Sequence, residues 1–446
     1  MKTFPIGGVH PHDCKQYSKN SAIEVMDLPD EVSIPLSQHI GAPAALKVQK
    51  GDRVLVGDVI AEPAGFMSAY IHAPVSGTVT AVGEKINAQG MPQMMVTIRR
   101  EGDQWREDID RSEELVSDCQ LESSQIIEKI KQAGIVGLGG ATFPTHVKLS
   151  IPAGKHAQFL IINGAECEPY LTSDYRTMME YPCEVISGIK ILRKAVNADK
   201  VVIGIENNKR DAMELLLKHI STEDDIQVLP LKMKYPQGGE KQLIAAVTGR
   251  QVPPPPALPI DVGAVVCNVS SAKAVYDAVQ KNKPLVERVV TLSGREVKEP
   301  KNLLVRFGTP VSKLLTKCSF ENKDNNIKVL LGGPMMGRAM SNLDAPVMKG
   351  CSGVVVLSSK DASRCEEKDC IKCGKCVEAC PMGLEPYLLS KLSRLSQWDS
   401  AEEEGIVSCI ECGSCSFTCP GYLPLLDYIR LGKARVMANI KARNRK

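Results

Sequence analysis

No sign of charge dominates this chain: 55 lysines and arginines face 52 aspartates and glutamates, for a net +3. A nucleic-acid-binding protein would usually carry a strong basic excess, so that class is set aside. Met1 to His10 contains no apolar h-region, so no secretory signal is expected. No uninterrupted apolar run approaches the ~18–20 residues of a membrane span. The longest candidate, Ala257 to Tyr276, is interrupted by Pro259, Asp261, Asn268, Ser270 and Lys273. Aromatic residues are sparse, at 4%. The expectation is a chain that is soluble or peripheral to a membrane. Its 446 residues leave room for roughly two to four domains.

Cysteine is what the chain has in excess, with 16. Without a secretory signal these thiols are expected in a reducing compartment, where clustering points to metal rather than to disulfides. Cys370, Cys373, Cys376 and Cys380 are followed by Pro381, and Cys409, Cys412, Cys415 and Cys419 by Pro420. Both runs match the spacing of bacterial two-cluster ferredoxins, in which the fourth cysteine ligates the other cluster. Three thiolates two residues apart can wrap three corners of a cubane, and the fourth is carried away on a following helix. The expected ligand sets are therefore Cys370, Cys373, Cys376 and Cys419 for one [4Fe–4S] cluster, and Cys409, Cys412, Cys415 and Cys380 for the second. A zinc ribbon uses two CxxC pairs and accounts poorly for two identical quartets. Cys365 reads as a free cysteine outside the clusters, and most of the remaining scattered cysteines as small buried hydrophobes.

Four modules are expected. Residues 1–105 carry short alternating apolar runs separated by Gly51-Asp52 and Gly57-Asp58, the pattern of a small barrel or sandwich. The segment resembles the barrel-sandwich hybrid of lipoyl and biotinyl carriers. The stretch Glu62 to Ser68, where a carrier would present its lysine, has none, so the module is read as structural. Glu101 to Glu114 reads as a charged linker. Residues 120–280 alternate strands (Phe159–Ile162, Lys200–Ile205) with helical stretches (Glu184–Ala195, Arg210–Ile220), which indicates a Rossmann-like parallel sheet. Pro253 to Pro256 can be neither helix nor central strand. Residues 285–345 read as a small α+β fold, and residues 361–446 as the helical two-cluster module. Between the cysteine runs, Leu388, Leu389, Leu392 and Leu395 fall at helical spacing and read as a core stripe. The basic end, Gly432 to Lys446, reads as a solvated, frayed terminus.

A glycine-rich run, Gly134 to Lys148, can bring backbone amides close to a phosphate or a flat ring. It is followed in order by Asn163-Gly164-Ala165-Glu166-Cys167-Glu168-Pro169, by Asp174-Tyr175-Arg176, by Tyr235 to Gln242, and by Cys267-Asn268-Val269. The series resembles the flavin- and NADH-binding subunit of respiratory complex I. With its flanking modules, the whole chain resembles the C subunits of Rnf (Rsx) complexes, which couple electron transfer between NAD(H) and ferredoxin to ion movement. The resemblance implies that residues 285–345 form a soluble-ligand-binding β-grasp (SLBB) domain. It also implies a cleft for FMN and NADH contacted by Gly137, Gly139, Gly140, Lys148, Asn163, Glu166, Glu240, Asn268 and Val269. Phe143 matches an aromatic that stacks on the NADH adenine. The same resemblance implies a peripheral location on the cytoplasmic face of the bacterial inner membrane, with integral membrane and ferredoxin-like subunits as partners. There are departures: Leu138 stands in place of an arginine, Thr142 of a glycine, Ala165 of an aspartate, Lys241 of a glutamate and Ile151 of the second stacking aromatic.

The expected function is electron input to an ion-translocating NAD(H):ferredoxin oxidoreductase. The alternative, motivated by the departures, is a non-catalytic electron wire with an empty flavin cleft. Glu166 and Glu168 could equally be solvated loop carboxylates, and His146 has no visible partner. A ligand-sensing role would leave the ferredoxin motifs unexplained.

Overall fold

The computed structural model describes residues 1–320, 327–363 and 365–443. The barrel-sandwich hybrid is built from two small antiparallel sheets. One orders the strands Glu31–Pro35, Pro92–Arg100, Gly77–Ile86 and Arg53–Val54; the other orders Ala45–Leu46, Val59–Glu62 and Ile71–His72. Alternate residues point inward, so Val32, Ile34, Ile60, Val79, Val96 and Ile98 are wholly buried between the sheets. Residues before Glu31 lie outside this core. Lys2 bridges Leu231, Val9 bridges Tyr235, and Ile23–Val25 joins a sheet elsewhere in the chain. The charged stretch after Arg100 is irregular but pinned: Val56 bridges Trp105, and Lys281 pairs with Asp110 at 2.6 Å.

The Rossmann-like domain has four parallel strands in the order Ile226–Leu231, Lys200–Glu206, Phe159–Gly164, Ala264–Asn268. Helices Pro182–Val196 and Val269–Gln280 pack together on one face, and Glu240–Thr248 covers the other. The chain runs outward from Phe159–Gly164 in one direction, then returns to place Ala264–Asn268 on its other side. That reversal opens a crevice at the carboxyl ends of these two strands, the usual ligand position in open α/β sheets.

The β-grasp domain is a six-stranded mixed sheet with the helix Val311–Lys317. Two of its strands, Ile23–Val25 and the central Gly353–Leu357, come from outside residues 285–345. Strands from such distant segments give no local signal of their pairing.

The C-terminal module is helical: Lys375–Glu378, Pro386–Arg394, Trp398–Glu403, Ser414–Thr418 and Leu425–Arg443. Leu389 and Leu392 enter its core, Leu388 packs at the edge, and Leu395 is exposed. The expected frayed terminus is instead ordered helix as far as Arg443. Gly432 sits where any Cβ would clash with the Ser393 hydroxyl, and Arg443 pairs with Glu402. Arg445 and Lys446 lie outside the described residues. No helix among the described residues is long and apolar enough to cross a membrane.

Candidate functional site

The two cysteine runs fold as copies of one unit. Lys372 and Glu411 are left-handed at φ 53° and 57°, and so are Gly374 and Gly413 at φ 76° and 81°. Each pair of left-handed residues turns the loop back on itself, so its cysteines converge before a short helix begins. The helices Lys375–Glu378 and Ser414–Thr418 pack against each other, which carries each fourth cysteine toward the other loop. Cys380 lines one small cavity together with Cys409, Cys412 and Cys415, closed by Leu384, Leu389, Leu426 and Ile429. Cys419 stands near Cys376 and Cys370 at the other end. Backbone amides of Leu384 and Glu411 donate to the Cys380 and Cys409 sulfurs, each at 3.4 Å. Lys433 donates to the Cys409 carbonyl at 2.7 Å and pairs with Glu411 at 3.1 Å. Burial pushes the Cys409 thiol up to about 11 and Cys415 to about 12, so metal must displace these protons when it binds. The two sites differ in exposure: Cys380, Cys412 and Cys415 are buried, whereas Cys370 and Cys373 are at the surface. Cys365 is exposed, and Cys14, Cys267, Cys318 and Cys351 are buried.

The glycine-rich loop enters the crevice of the Rossmann-like domain. Val136 bridges Pro144, and the Gly137 amide donates to the Phe143 carbonyl at 2.9 Å, so residues 138–142 form the tip. Gly139 lies against the Asn268 side chain, and Gly140, at φ 116°, faces open space. Lys148, on the short helix Thr145–Leu149, donates to Glu240 Oε1 at 2.8 Å and to the Val266 carbonyl at 2.9 Å. Burial works against its charge, but Glu240 and the Cys267 sulfur together outweigh that and the ammonium is held above its ordinary value. The Phe143 ring centre is 5.9 Å from the same ammonium. Gly137, Gly139, Phe143, Lys148, Glu240 and Asn268 are thus brought together at the mouth of the crevice.

Three of the expected contacts spend their polar groups on the protein. Asn268 caps the helix Val269–Gln280 through Ser270 N and Ser271 N, and its amide donates to Asp174 Oδ2 at 2.7 Å. Asn163 donates to the Gly238 carbonyl at 2.8 Å and accepts from Ala165 N. Glu166 accepts from Asp174 N and Tyr175 N, capping the helix Ser173–Glu180. Val269 is fully buried in the core. Glu166 and Glu168 are not solvated loop carboxylates: burial pushes each up to about 7, and Glu168 accepts from the amides of Met335 and Met336. His146 is also buried, and burial lowers its pKa.

Sequence alone did not pick out the wall shared by the two sites. Tyr235, 2% exposed, donates its hydroxyl to the Cys412 carbonyl at 2.8 Å. Gly238, three residues on, donates to Cys167 Sγ and receives the Asn163 amide. Gln242 donates to the Pro381 carbonyl at 3.2 Å, and Gly8 N to the Ala379 carbonyl at 2.9 Å. The segment Tyr235–Gln242 therefore touches the crevice on one side and the cysteine cavity on the other. Its sequence carried the signal of a site, but not its second neighbour.

The donor chemistry fits the groups that the motifs imply. Four cysteines line one cavity, and a cation sits at a crevice lined by small glycines and backbone amides. Four family models match the chain in order: the RnfC barrel sandwich hybrid domain over residues 2–103, the Nuo51 FMN-binding domain over 130–277, the SLBB domain over 289–339 and the 4Fe-4S dicluster domain over 369–423. The C subunit of the proton-translocating ferredoxin:NAD(+) oxidoreductase complex of Clostridium ljungdahlii is 46% identical, over 91% of this chain and 87% of its own. Its Na(+)-translocating counterpart from Acetobacterium woodii is 42% identical over 98% of both chains. The C subunit of the ion-translocating oxidoreductase complex of Rhodobacter capsulatus is 40% identical, over 98% of this chain and 84% of its own. Among solved structures, an NAD+-reducing [NiFe]-hydrogenase in the air-oxidized state aligns with a TM-score of 0.51 at 18% identity, over 71% of this chain and 63% of its own, a likeness of fold alone. Identity at this level across nearly the whole length leaves one assignment: the chain belongs to the family of C subunits of ion-translocating ferredoxin:NAD(+) oxidoreductase complexes.

Proposed function

We propose that this chain is the electron-input subunit of such a complex, passing electrons between NAD(H) and two [4Fe–4S] clusters by way of FMN. The observation that carries the reading is the shared wall: Tyr235–Gln242 lies between the glycine-rich crevice and the cavity of Cys380, Cys409, Cys412 and Cys415. Bound flavin supplies the conversion between a two-electron hydride and single electrons, which clusters take one at a time. The chain's own residues supply the rest. Lys148 offers a fixed cation for a phosphate, Gly137, Gly139 and Gly140 let the backbone approach a ligand, and Phe143 offers an aromatic face to a nucleotide. Cys370, Cys373, Cys376 and Cys419 form the outer cluster site and Cys380, Cys409, Cys412 and Cys415 the inner one. The outer site faces solvent, where a partner can approach; the inner one is sealed by Tyr235 and the leucines around it.

Partners on this reading are the integral membrane and ferredoxin-like subunits, and attachment is peripheral, at the cytoplasmic face of the inner membrane. Anaerobic purification with iron, sulfide and flavin quantified tests the assignment. Two clusters and about one FMN per chain are expected. Full iron with no flavin, even after reconstitution with FMN, would establish the electron-wire alternative instead.

A further inference from the structure

The stem of the glycine-rich loop, Gly134 to Leu138, is gripped at both ends by basic side chains that follow it far along the chain. At the first end, Lys349 Nζ donates to the Gly134 carbonyl and to the Tyr70 carbonyl of the barrel, both at 2.7 Å. The approach is close enough to demand glycine: at φ 65°, a Cβ on Gly134 would clash with the Tyr70 oxygen and lie 3.0 Å from the ammonium. At the second end, Arg288 on the strand Glu287–Ser293 donates to the Leu138 carbonyl at 3.1 Å and to the Lys349 carbonyl. Ser271 Oγ takes the Leu138 amide at 2.8 Å, so this residue is pinned through both its backbone groups.

Both basic side chains are deeply buried, Arg288 at 4% and Lys349 at 0% exposure, and the hydrogen bonds they make end on carbonyl oxygens. The nearest negative influence on Arg288 besides the Cys351 thiol is Asp174, whose carboxylate is already bonded by Asn268 and Ser270. A buried arginine without its own carboxylate is costly, and an apolar side chain of similar size would serve stability better. The Leu138 side chain is itself 2% exposed.

We infer that Arg288, assisted by Lys349, is a positioning residue for the flavin loop: it grips the loop from outside and brings a positive charge beside it. The inference rests on the flavin reading above. It explains why the β-grasp domain is packed against the loop.

The test uses the full chain, purified anaerobically, with FMN as probe. Arg288→Met is expected to weaken FMN binding by about 10-fold or more, the effect of losing a charged hydrogen bond, and to speed amide exchange at Gly137–Gly140. It is also expected to lower the midpoint potential of the bound flavin, because reduction adds negative charge that Arg288 favours. Arg288→Lys is expected to keep the potential while recovering only part of the affinity. Ser271→Ala, which releases the same residue of the loop at its amide, covers the case in which Arg288→Met does not fold; it should weaken FMN binding with cluster iron unchanged. Wild-type-like FMN affinity and exchange in Arg288→Met, or in Ser271→Ala if Arg288→Met fails to fold, overturns the inference alone. A wild-type chain that never binds FMN overturns the flavin reading and this inference with it.

Discussion

Replacing Cys380 by serine should remove the inner cluster and spare the outer one. Cys380 ends the first cysteine run, yet it lines the cavity of Cys409, Cys412 and Cys415, with Leu384 and Leu389 shutting off solvent. Cys380, Cys412 and Cys415 are 8%, 7% and 8% exposed, whereas Cys370 and Cys373 are open to solvent. Loss of one thiolate from either set should cut iron from about eight atoms per chain to about four. The two losses should differ in kind. Solvent access governs how fast oxygen and chelators reach a metal site, so wild-type bleaching in air should be biphasic, with similar amplitudes. Cys380→Ser should abolish the slow phase. Cys373→Ser, and Cys419→Ser with it, should abolish the fast one. Electron paramagnetic resonance of the reduced variants should show complementary signals. If Cys380→Ser and Cys373→Ser remove the same signal, each run holds its own cluster and the crossed assignment is wrong.

Lys148→Met leaves the Val266 carbonyl without its donor and Glu240 unpaired; because Glu240 is well exposed, the fold should lose only about 1–2 kcal/mol. FMN affinity should fall about 10-fold or more with iron intact, measured by quenching of flavin fluorescence, and unchanged affinity would place the phosphate elsewhere. Burial drops Lys349 to about 7, well below the ~10.5 of an unfolded lysine, so the unfolded chain holds more protons between those values. Stability from this group therefore rises as pH climbs from 7, by on the order of 2 kcal/mol at pH 9. Thermal unfolding of wild type against Lys349→Met should show the gap widening in favour of wild type across that range, and a constant gap would contradict the shift. Finally, the chain should sediment with membranes only when its integral partner subunits are present; retention in their absence, resistant to salt and alkaline washing, would reveal a membrane anchor of its own.

Spacing alone made the metal chemistry legible. A thiolate loop around a cubane is a local device, so Cys370 to Cys380 and Cys409 to Cys419 announce it within a dozen residues each. The alternation of apolar strands and helices between Phe159 and Gln280 likewise reports a parallel sheet, because burial on both faces leaves its period in the chain. The ordered series from the glycine-rich loop to Asn268 was enough to name a cleft. What each cleft residue is bonded to was not readable. Asn163, Glu166 and Asn268 cap helices and tie loops, and Lys148 is paired with Glu240, because buried polar groups must find partners wherever the fold brings one.

Long-range closure decided the remainder. Ile23–Val25 joins a sheet whose other strands all lie from Glu287 onward, Tyr235 reaches Cys412, and Arg288 and Lys349 close on Leu138 and Gly134. None of these contacts leaves a period or a spacing in the sequence, since each depends on where two distant segments are carried by the packing of whole modules. Sequence by itself determined which chemistry the chain holds. Only the tertiary structure decided that the inner cluster site and the flavin crevice share a wall, and that the loop over the crevice is gripped by basic side chains from another domain.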